Sequence, residues 1–501
     1  MLNKKGVEMT ERTNRQECIK EWNQKKLDNS LVSIIGSGPL SNFVISNLVG
    51  LQVGKIRIID DKFYDNNINE FLFFDYYNKD NKISKVKHLE QMIMHMNPNI
   101  SAEGIPSSIF TDSVRNSNLI VDLTNDPSSK IESMLISDKL NIPLITASTG
   151  ENKGKITVYN PSEKLEKILN KKDRKDYLLL EFKDEKQGSI TSGVIAGLVT
   201  EEIRKSIFRL DDYDKPLKRS VTYNLLSNNR FNEESNLEIN LNKEYGLFKD
   251  KKVVMIGAGA IGNFVGLGLS LLGFGEIYII DMDEIKEHNK NRQIIYAFDD
   301  CNGKRKVDVM SKYLKKINPD DNSVAIYGKL GTCLEKEDKI KNVKLINESE
   351  LLNLDCDLII GCVDNMTARA FINSFAVKNS IPYINGGTDS FSGGVRIYSP
   401  GKTACLDCQA DFYSKAIEEL ENKDYQPGHC TADDHQSSVV MSNQIIGSII
   451  IGEIRAVLYP EIYGQPIKNG ISYNCFSPDR VSMYSIVCEP KKKCLCAGGI
   501  K

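Results

Sequence analysis

The residues best suited to chemistry lie in the second half of the chain. Gly257, Gly259 and Gly262 form a G-x-G-x-x-G run that follows an apolar, β-rich stretch and opens a helical one. Glycines in that setting let the backbone approach a phosphate, and the N-terminus of the following helix attracts negative charge. Asp281 ends the next apolar run, where a carboxylate can accept a ribose hydroxyl. To that point the pattern fits NAD as well as any other nucleotide. The next segment separates them: Asp283, Asn289, Arg292 and Gln293 stand in one short run, and Lys306 comes soon after. A guanidinium and an ammonium together can hold a triphosphate, whereas a bridging pyrophosphate needs only backbone amides. Asp364 closes a later apolar run, at the sheet edge where a carboxylate can hold Mg2+.

The thiols are as unevenly placed. Of 12 cysteines, only Cys18 lies in the first half of the chain. Cys405 and Cys408 have a spacing that suits one tetrahedral metal, and Cys488, Cys494 and Cys496 cluster near the C-terminal end. Two thiol pairs from distant segments predict a structural Zn2+ site on Cys405, Cys408, Cys494 and Cys496, with Cys488 as the alternative to Cys494. Cys430 stands in a polar loop that runs directly into an apolar helix. A helix N-terminus lowers a thiol pKa and favours the nucleophilic thiolate, although Asp433 and Asp434 would act against it. Cys301, Cys333, Cys356, Cys362 and Cys475 read as packing residues. The first residues, MLNKKGVEMTERTNRQECIKEW, carry no apolar run of the secretory type. A reduced, cytoplasmic setting is therefore expected, in which thiols serve metals or catalysis.

The elements that must position these residues are written twice. LVSIIGSGPLSNFVISNLVGLQVGKIRIIDD lines up with VVMIGAGAIGNFVGLGLSLLGFGEIYIIDMD, pairing Gly36 with Gly257, Asp60 with Asp281 and Lys85 with Lys306. Further on, SNLIVDLTND matches CDLIIGCVDN, and Tyr223-Asn224 matches Tyr473-Asn474. Each unit reads as strand, glycine turn, helix, strand, so the expected fold is α/β: two doubly wound, Rossmann-like units packed as a pseudo-dimer. The boundary falls in the polar stretch 227–245, giving domains 1–235 and 236–501. The uncharged run Val253–Gly275 is long enough to cross a bilayer. Its glycines, and the β-branched run to Asp281 that comes after it, instead fit a buried strand, loop and helix. Region 163–187, rich in Lys, Asp and Glu, reads as a solvated helix or loop. A formal net charge of −2 gives no reason to expect nucleic acid as a partner.

The first unit has lost chemistry that the second keeps. In the repeat alignment Asn289 falls on Ile68, Arg292 on Phe71 and Asp364 on Asn125, and neither thiol pair has a counterpart. A site with phenyl in place of guanidinium, and amide in place of the metal carboxylate, is not expected to use Mg-ATP.

The glycine loop, the D-x-D…N-x-x-R-Q run, the following lysine, the D-N pair and the late cysteine pairs together resemble one family. It is that of the molybdopterin-synthase, thiazole-biosynthesis and ubiquitin-activating adenylyltransferases, the ThiF, MoeB and HesA type, and the resemblance covers nearly the whole chain. It implies attack by a small protein's C-terminal glycine carboxylate on the α-phosphorus of Mg-ATP. Asp281 would then bind ribose, Asn289, Arg292 and Lys306 the phosphates, and Asp364 the Mg2+. Asn14-Arg15-Gln16 resembles the family's N-terminal N-R-Q segment, which implies that Arg15 reaches from the first unit into the second unit's site. Members that pass the modifier on as a thioester carry a cysteine where Cys430 stands. The expected function is thus activation of a ubiquitin-like protein through a Cys430 thioester, with a conjugating enzyme as a further partner and no membrane. The alternative is adenylylation of a ribosomal peptide or sulfur-carrier protein without an enzyme thioester. Zinc sites in the family use two C-x-x-C pairs, whereas the second pair here is C-x-C.

Overall fold

The computed structural model describes residues 11–64, 83–161, 177–209, 214–235, 246–297, 301–331, 343–421, 437–467, 470–484, 489–491 and 494–498. Each repeat builds its own sheet. The first runs in the order β3-β2-β1-β4-β5-β6-β7 and the second in the order β11-β10-β9-β8-β12-β13-β14-β15-β16. In the first unit the strands are β1 (Leu31–Ile35), β2 (Lys55–Ile59), β3 (Ser101–Ile105), β4 (Leu119–Asp122), β5 (Leu144–Thr149), β6 (Lys153–Tyr159) and β7 (Val221–Asn224). In the second they are β8 (Lys252–Ile256), β9 (Glu276–Asp281), β10 (Ser323–Leu330), β11 (Lys344–Ile346), β12 (Leu358–Gly361), β13 (Tyr383–Thr388), β14 (Ser392–Tyr398), β15 (Gly470–Asn474) and β16 (Val481–Tyr484). Pairing is parallel from β3 to β5 and from β11 to β13, then antiparallel to each sheet's far edge.

The central parallel strands β1, β4, β8 and β12 are short apolar runs buried along nearly their whole length, as strands covered on both faces require, while β3, β10 and β11 toward the edges are more exposed. Their helices are α1 (Asn14–Glu17), α2 (Gln24–Asp28), α3 (Pro39–Leu51), α4 (Lys85–Met96), α5 (Pro127–Leu140) and α6 (Ser189–Phe208) in the first unit. The second has α7 (Ala260–Leu272), α8 (Lys306–Ile317), α9 (Glu348–Leu352), α10 (Met366–Lys378), α11 (Leu406–Ala410), α12 (Phe412–Glu421), α13 (Val440–Leu458) and α14 (Pro460–Tyr463). The chain reverses its winding between β1 and β4, and again between β8 and β12, which leaves a crevice at the strands' C-terminal ends. The uncharged run Val253–Gly275 is β8, the glycine turn and α7, as its sequence predicts.

The two units meet along α6 and α13, nearly all of whose residues are buried. One core cluster runs through both sheets, from Val32 to Ile471. Helix α13 is apolar and long enough to span a bilayer, yet 94% of its most apolar stretch is buried inside the protein. Two salt bridges cross the seam and are related by the repeat. Arg230 Nε donates to Glu453 Oε1 at 2.6 Å, and Arg480 Nε donates to Glu202 Oε1 at 2.7 Å. Each glutamate also accepts a backbone N–H, from Ile467 at 3.0 Å and from Leu217 at 2.7 Å. All four side chains are buried. Such mutual pairing is the signature of an isologous interface, here within a single chain. Arg230 lies in the polar stretch that the sequence marks as a boundary, and it is buried there. Carrying the Tyr223-Asn224 and Tyr473-Asn474 pairing on by six residues sets Arg230 over Arg480, a signal that the sequence reading did not use.

Candidate functional site

The second unit's glycine loop joins β8 to α7. Gly257 has φ +100°, a left-handed value that favours glycine, and a Cβ there would stand 2.6 Å from the Cys362 carbonyl oxygen. At Gly259, by contrast, a Cβ would meet nothing within 4 Å, so the space over the helix N-terminus is open. Asp281 ends β9 and shapes the loop. Its carboxylate accepts Ala258 N at 2.7 Å and Asp283 N at 2.7 Å. Burial raises its pKa above the ordinary carboxylate value, against the pull of the Lys306 ammonium.

Lys306 opens α8 and donates to Asp283 Oδ2 at 2.7 Å. Burial works against its charge, but the Asp281 and Asp283 carboxylates outweigh that and raise its pKa. Asn289 ends a short turn and accepts Lys286 N at 2.9 Å. Arg292 is fixed through Nη1, which donates to His288 O and to Asn291 Oδ1, both at 2.8 Å. Gln293 is buried, and its side-chain oxygen has no hydrogen-bond partner among the described residues. Asp364 is exposed just beyond β12, across the crevice from the glycine loop, and its oxygen lies 3.5 Å from Asn365 Nδ2.

Arg15 sits in α1, only 7% exposed, and its carbonyl accepts Ser438 N at 3.4 Å. Its neighbour Arg12 donates to Ala297 O at 3.4 Å and lies 3.9 Å from Glu287. Thus α1 belongs to the first unit but rests on the second. His288 lies in the same run as Arg292, and its carbonyl accepts Arg292 Nη1. Burial lowers its imidazole pKa to about 3, and Arg15, Arg292, Lys286 and Lys306 all push in the same direction. The sequence does not mark His288, because a single histidine in a charged run carries no spacing signal.

The same place in the first unit is filled. Gly36 has φ +99° and Asp60 accepts Ser37 N at 2.8 Å, so the loop itself is intact. A Cβ on Gly38 would stand 2.6 Å from Gln187 Oε1. That oxygen accepts Leu40 N at 3.2 Å, while Gln187 Nε2 donates to Leu123 O at 2.8 Å. A side-chain amide thereby occupies the helix N-terminus where a phosphate would bind. Asn125, the counterpart of Asp364, donates to Thr149 O at 2.8 Å and to Glu185 O at 2.9 Å. Leu178, Leu179 and Phe182 anchor the segment by burial. Within the region read as solvated, residues 180, 181 and 183–186 are exposed, but the buried Leu178, Leu179 and Phe182 hold the segment so that Gln187 plugs the first crevice; residues 162–176 lie outside the described residues. The mostly apolar run 177–182 sits among so many charges that the sequence does not show which of its side chains are buried.

Cys405, Cys408, Cys494 and Cys496 converge, with all four sulfurs within 4.8 Å of one another. Cys405 and Cys494 are 3.4 Å apart, and Cys408 and Cys496 are 3.6 Å apart. Tetrahedral Zn–S bonds would set sulfurs about 3.8 Å apart, so the donor set fits zinc. Cys488, Cys333 and the expected nucleophile Cys430, with Asp433 and Asp434, lie outside the described residues.

The family model described as "ThiF family" matches residues 11–245 and again 243–496. Among curated proteins, "Ubiquitin-like modifier-activating enzyme 5" of Drosophila mojavensis is 31% identical over 173 residues, covering 34% of this chain and 42% of that protein. "Nedd8-activating enzyme E1 catalytic subunit" of Drosophila melanogaster is 28% identical over 196 residues, covering 36% of this chain and 40% of that protein. The chain thus covers less than half the length of the curated relatives it matches. Among solved structures, E. coli MccB with MccA-N7isoASN is 24% identical, with a TM-score of 0.38 over 50% of this chain and 68% of that one.

Proposed function

The chain belongs to the ThiF family, and from that premise we propose that it is an ATP-dependent adenylyltransferase of the ubiquitin-activating type. The observation that carries this reading is a glycine loop whose phosphate space is open, tied through Asp281 and Asp283 to the Lys306 ammonium, with the Arg292 guanidinium held at the His288 carbonyl in the same run. Such a cluster stabilises charge that develops on a departing polyphosphate. Asp281 would accept the ribose hydroxyls. Asn289, Arg292, Gln293 and Lys306 would surround the triphosphate, and Asp283 would orient Lys306. Asp364 would hold Mg2+, which when bound shields the triphosphate's charge. The carboxylate of a small protein's C-terminal glycine would attack the α-phosphorus, and the bond to pyrophosphate would break. The Cys430 thiolate would then attack the acyl carbon of the adenylate and release AMP. In this scheme residues 1–235 act as a nucleotide-free unit that supplies Arg15, and residues 236–501 carry the site. The four clustered thiols would hold a structural Zn2+ that pins the 494–496 segment to α11.

Partner-dependent ATP–pyrophosphate exchange tests the first step, with a panel of small proteins ending in glycine. Exchange is expected, together with a thiol-sensitive adduct on non-reducing gels that is lost in Cys430→Ala. Exchange without any adduct would favour a peptide or sulfur-carrier substrate. Absence of ATP binding would sink the catalytic reading.

A further inference from the structure

One side chain at an open position of the N-x-x-R-Q run ties the phosphate-binding run to the first unit. Asn291 is completely buried. Its amide nitrogen donates to Gln16 Oε1 at 3.3 Å and to Ser438 O at 3.4 Å. Its amide oxygen accepts Arg292 Nη1 at 2.8 Å. Both amide hydrogens and the oxygen are therefore engaged, and the group cannot turn over without losing contacts. Arg292 Nη1 gives its other hydrogen to His288 O, which fixes the plane of the guanidinium.

The backbone of Asn291 is held as closely. A Cβ on Gly50 in α3 would stand 2.5 Å from the Asn291 carbonyl oxygen and 3.1 Å from its carbon, so only glycine permits this approach. Gln16 is itself immobilised, donating to Gln24 Oε1 at 2.7 Å and to Leu51 O at 3.1 Å. It adjoins Arg15 in α1, and Ser438 lies shortly after the segment that carries Cys430. Three parts of the molecule meet at one amide: the helix bearing Arg15, the run bearing Arg292, and the approach to α13.

We propose that Asn291 is a positioning residue that sets the Arg292 guanidinium for the triphosphate, in register with Arg15 of the first unit. The proposal rests on the adenylylating reading above. Arg292 would act on the β- and γ-phosphates and Asn291 would act only through Arg292, so the effect belongs to ATP and not to AMP.

The test is calorimetric binding of ATP and of AMP to the full chain and to its Asn291→Ala, Gln16→Ala and doubly substituted variants. Asn291→Ala is expected to weaken ATP by about tenfold to a hundredfold, with AMP binding unchanged. The double variant is expected to bind ATP no more weakly than Asn291→Ala alone, because both substitutions break one chain of contacts. Equal weakening of ATP and AMP, or no change for ATP, would overturn the proposal. Should Asn291→Ala fail to fold, Gly50→Ala asks the same question by displacing the Asn291 carbonyl, and an unchanged ATP-to-AMP ratio overturns it. An unsubstituted chain with no preference for ATP over AMP would instead remove the adenylylating reading, and this proposal with it.

Discussion

At the scale of single residues, the seam between the units is the most exacting part of the molecule. Glu453 and Arg230 are both buried, and each would be stranded without the other. Removing one member of a buried ion pair typically costs about 3–5 kcal/mol, because an unpaired charge is left in a poor solvent. Glu453→Ala is expected to lower the denaturation midpoint by that order, and Glu202→Ala likewise for Arg480. The paired substitution Arg230→Met with Glu453→Leu should lose much less, and an equal loss would show that packing matters more than charge. The glycines, Asp281, Arg292 and Lys306 stood out in the sequence because phosphate chemistry constrains both their type and their spacing. Asn291, His288 and Gln187 did not, since their roles depend on contacts with residues remote in the chain.

At the scale of elements, the strands and crossover helices were legible because short apolar runs followed by glycine turns admit few other structures. The antiparallel edges were not, as β6, β7 and β14 to β16 lack the βαβ rhythm that identifies the rest. Nor was the plug. Its Gln187 amide caps α3 much as an N-cap side chain would, and loss of such a cap costs about 0.5–2 kcal/mol. Gln187→Ala is therefore expected to lower the melting temperature modestly. Because Asn125 and Glu185 still close the crevice, calorimetry with a non-hydrolysable ATP analogue should find one nucleotide per chain before and after the substitution. A second site appearing in Gln187→Ala would mean that the glutamine alone keeps it shut.

At the scale of the whole molecule, the repeat makes one chain its own partner. The aligned segments revealed two units, and the resemblance of Asn14-Arg15-Gln16 to the family's N-R-Q segment raised the expectation that Arg15 serves the second. Neither revealed how much of the first unit supports the second: α1, the end of α3 and the α6 face all bear on it. Activity per chain is expected to stay constant on serial dilution of the enzyme, measured as pyrophosphate exchange at saturating partner. A fall would show that a second chain completes the site. The crossed pair of salt bridges carries this further. In a separable dimer, mass action governs how many sites are whole, and dilution empties them. Here chain connectivity holds the halves at a fixed local concentration, so under the proposed scheme Arg15 would not be lost on dilution or exchanged for another copy's. Mixing an Arg15→Ala variant with normal chains should therefore leave the variant's own sites without activity.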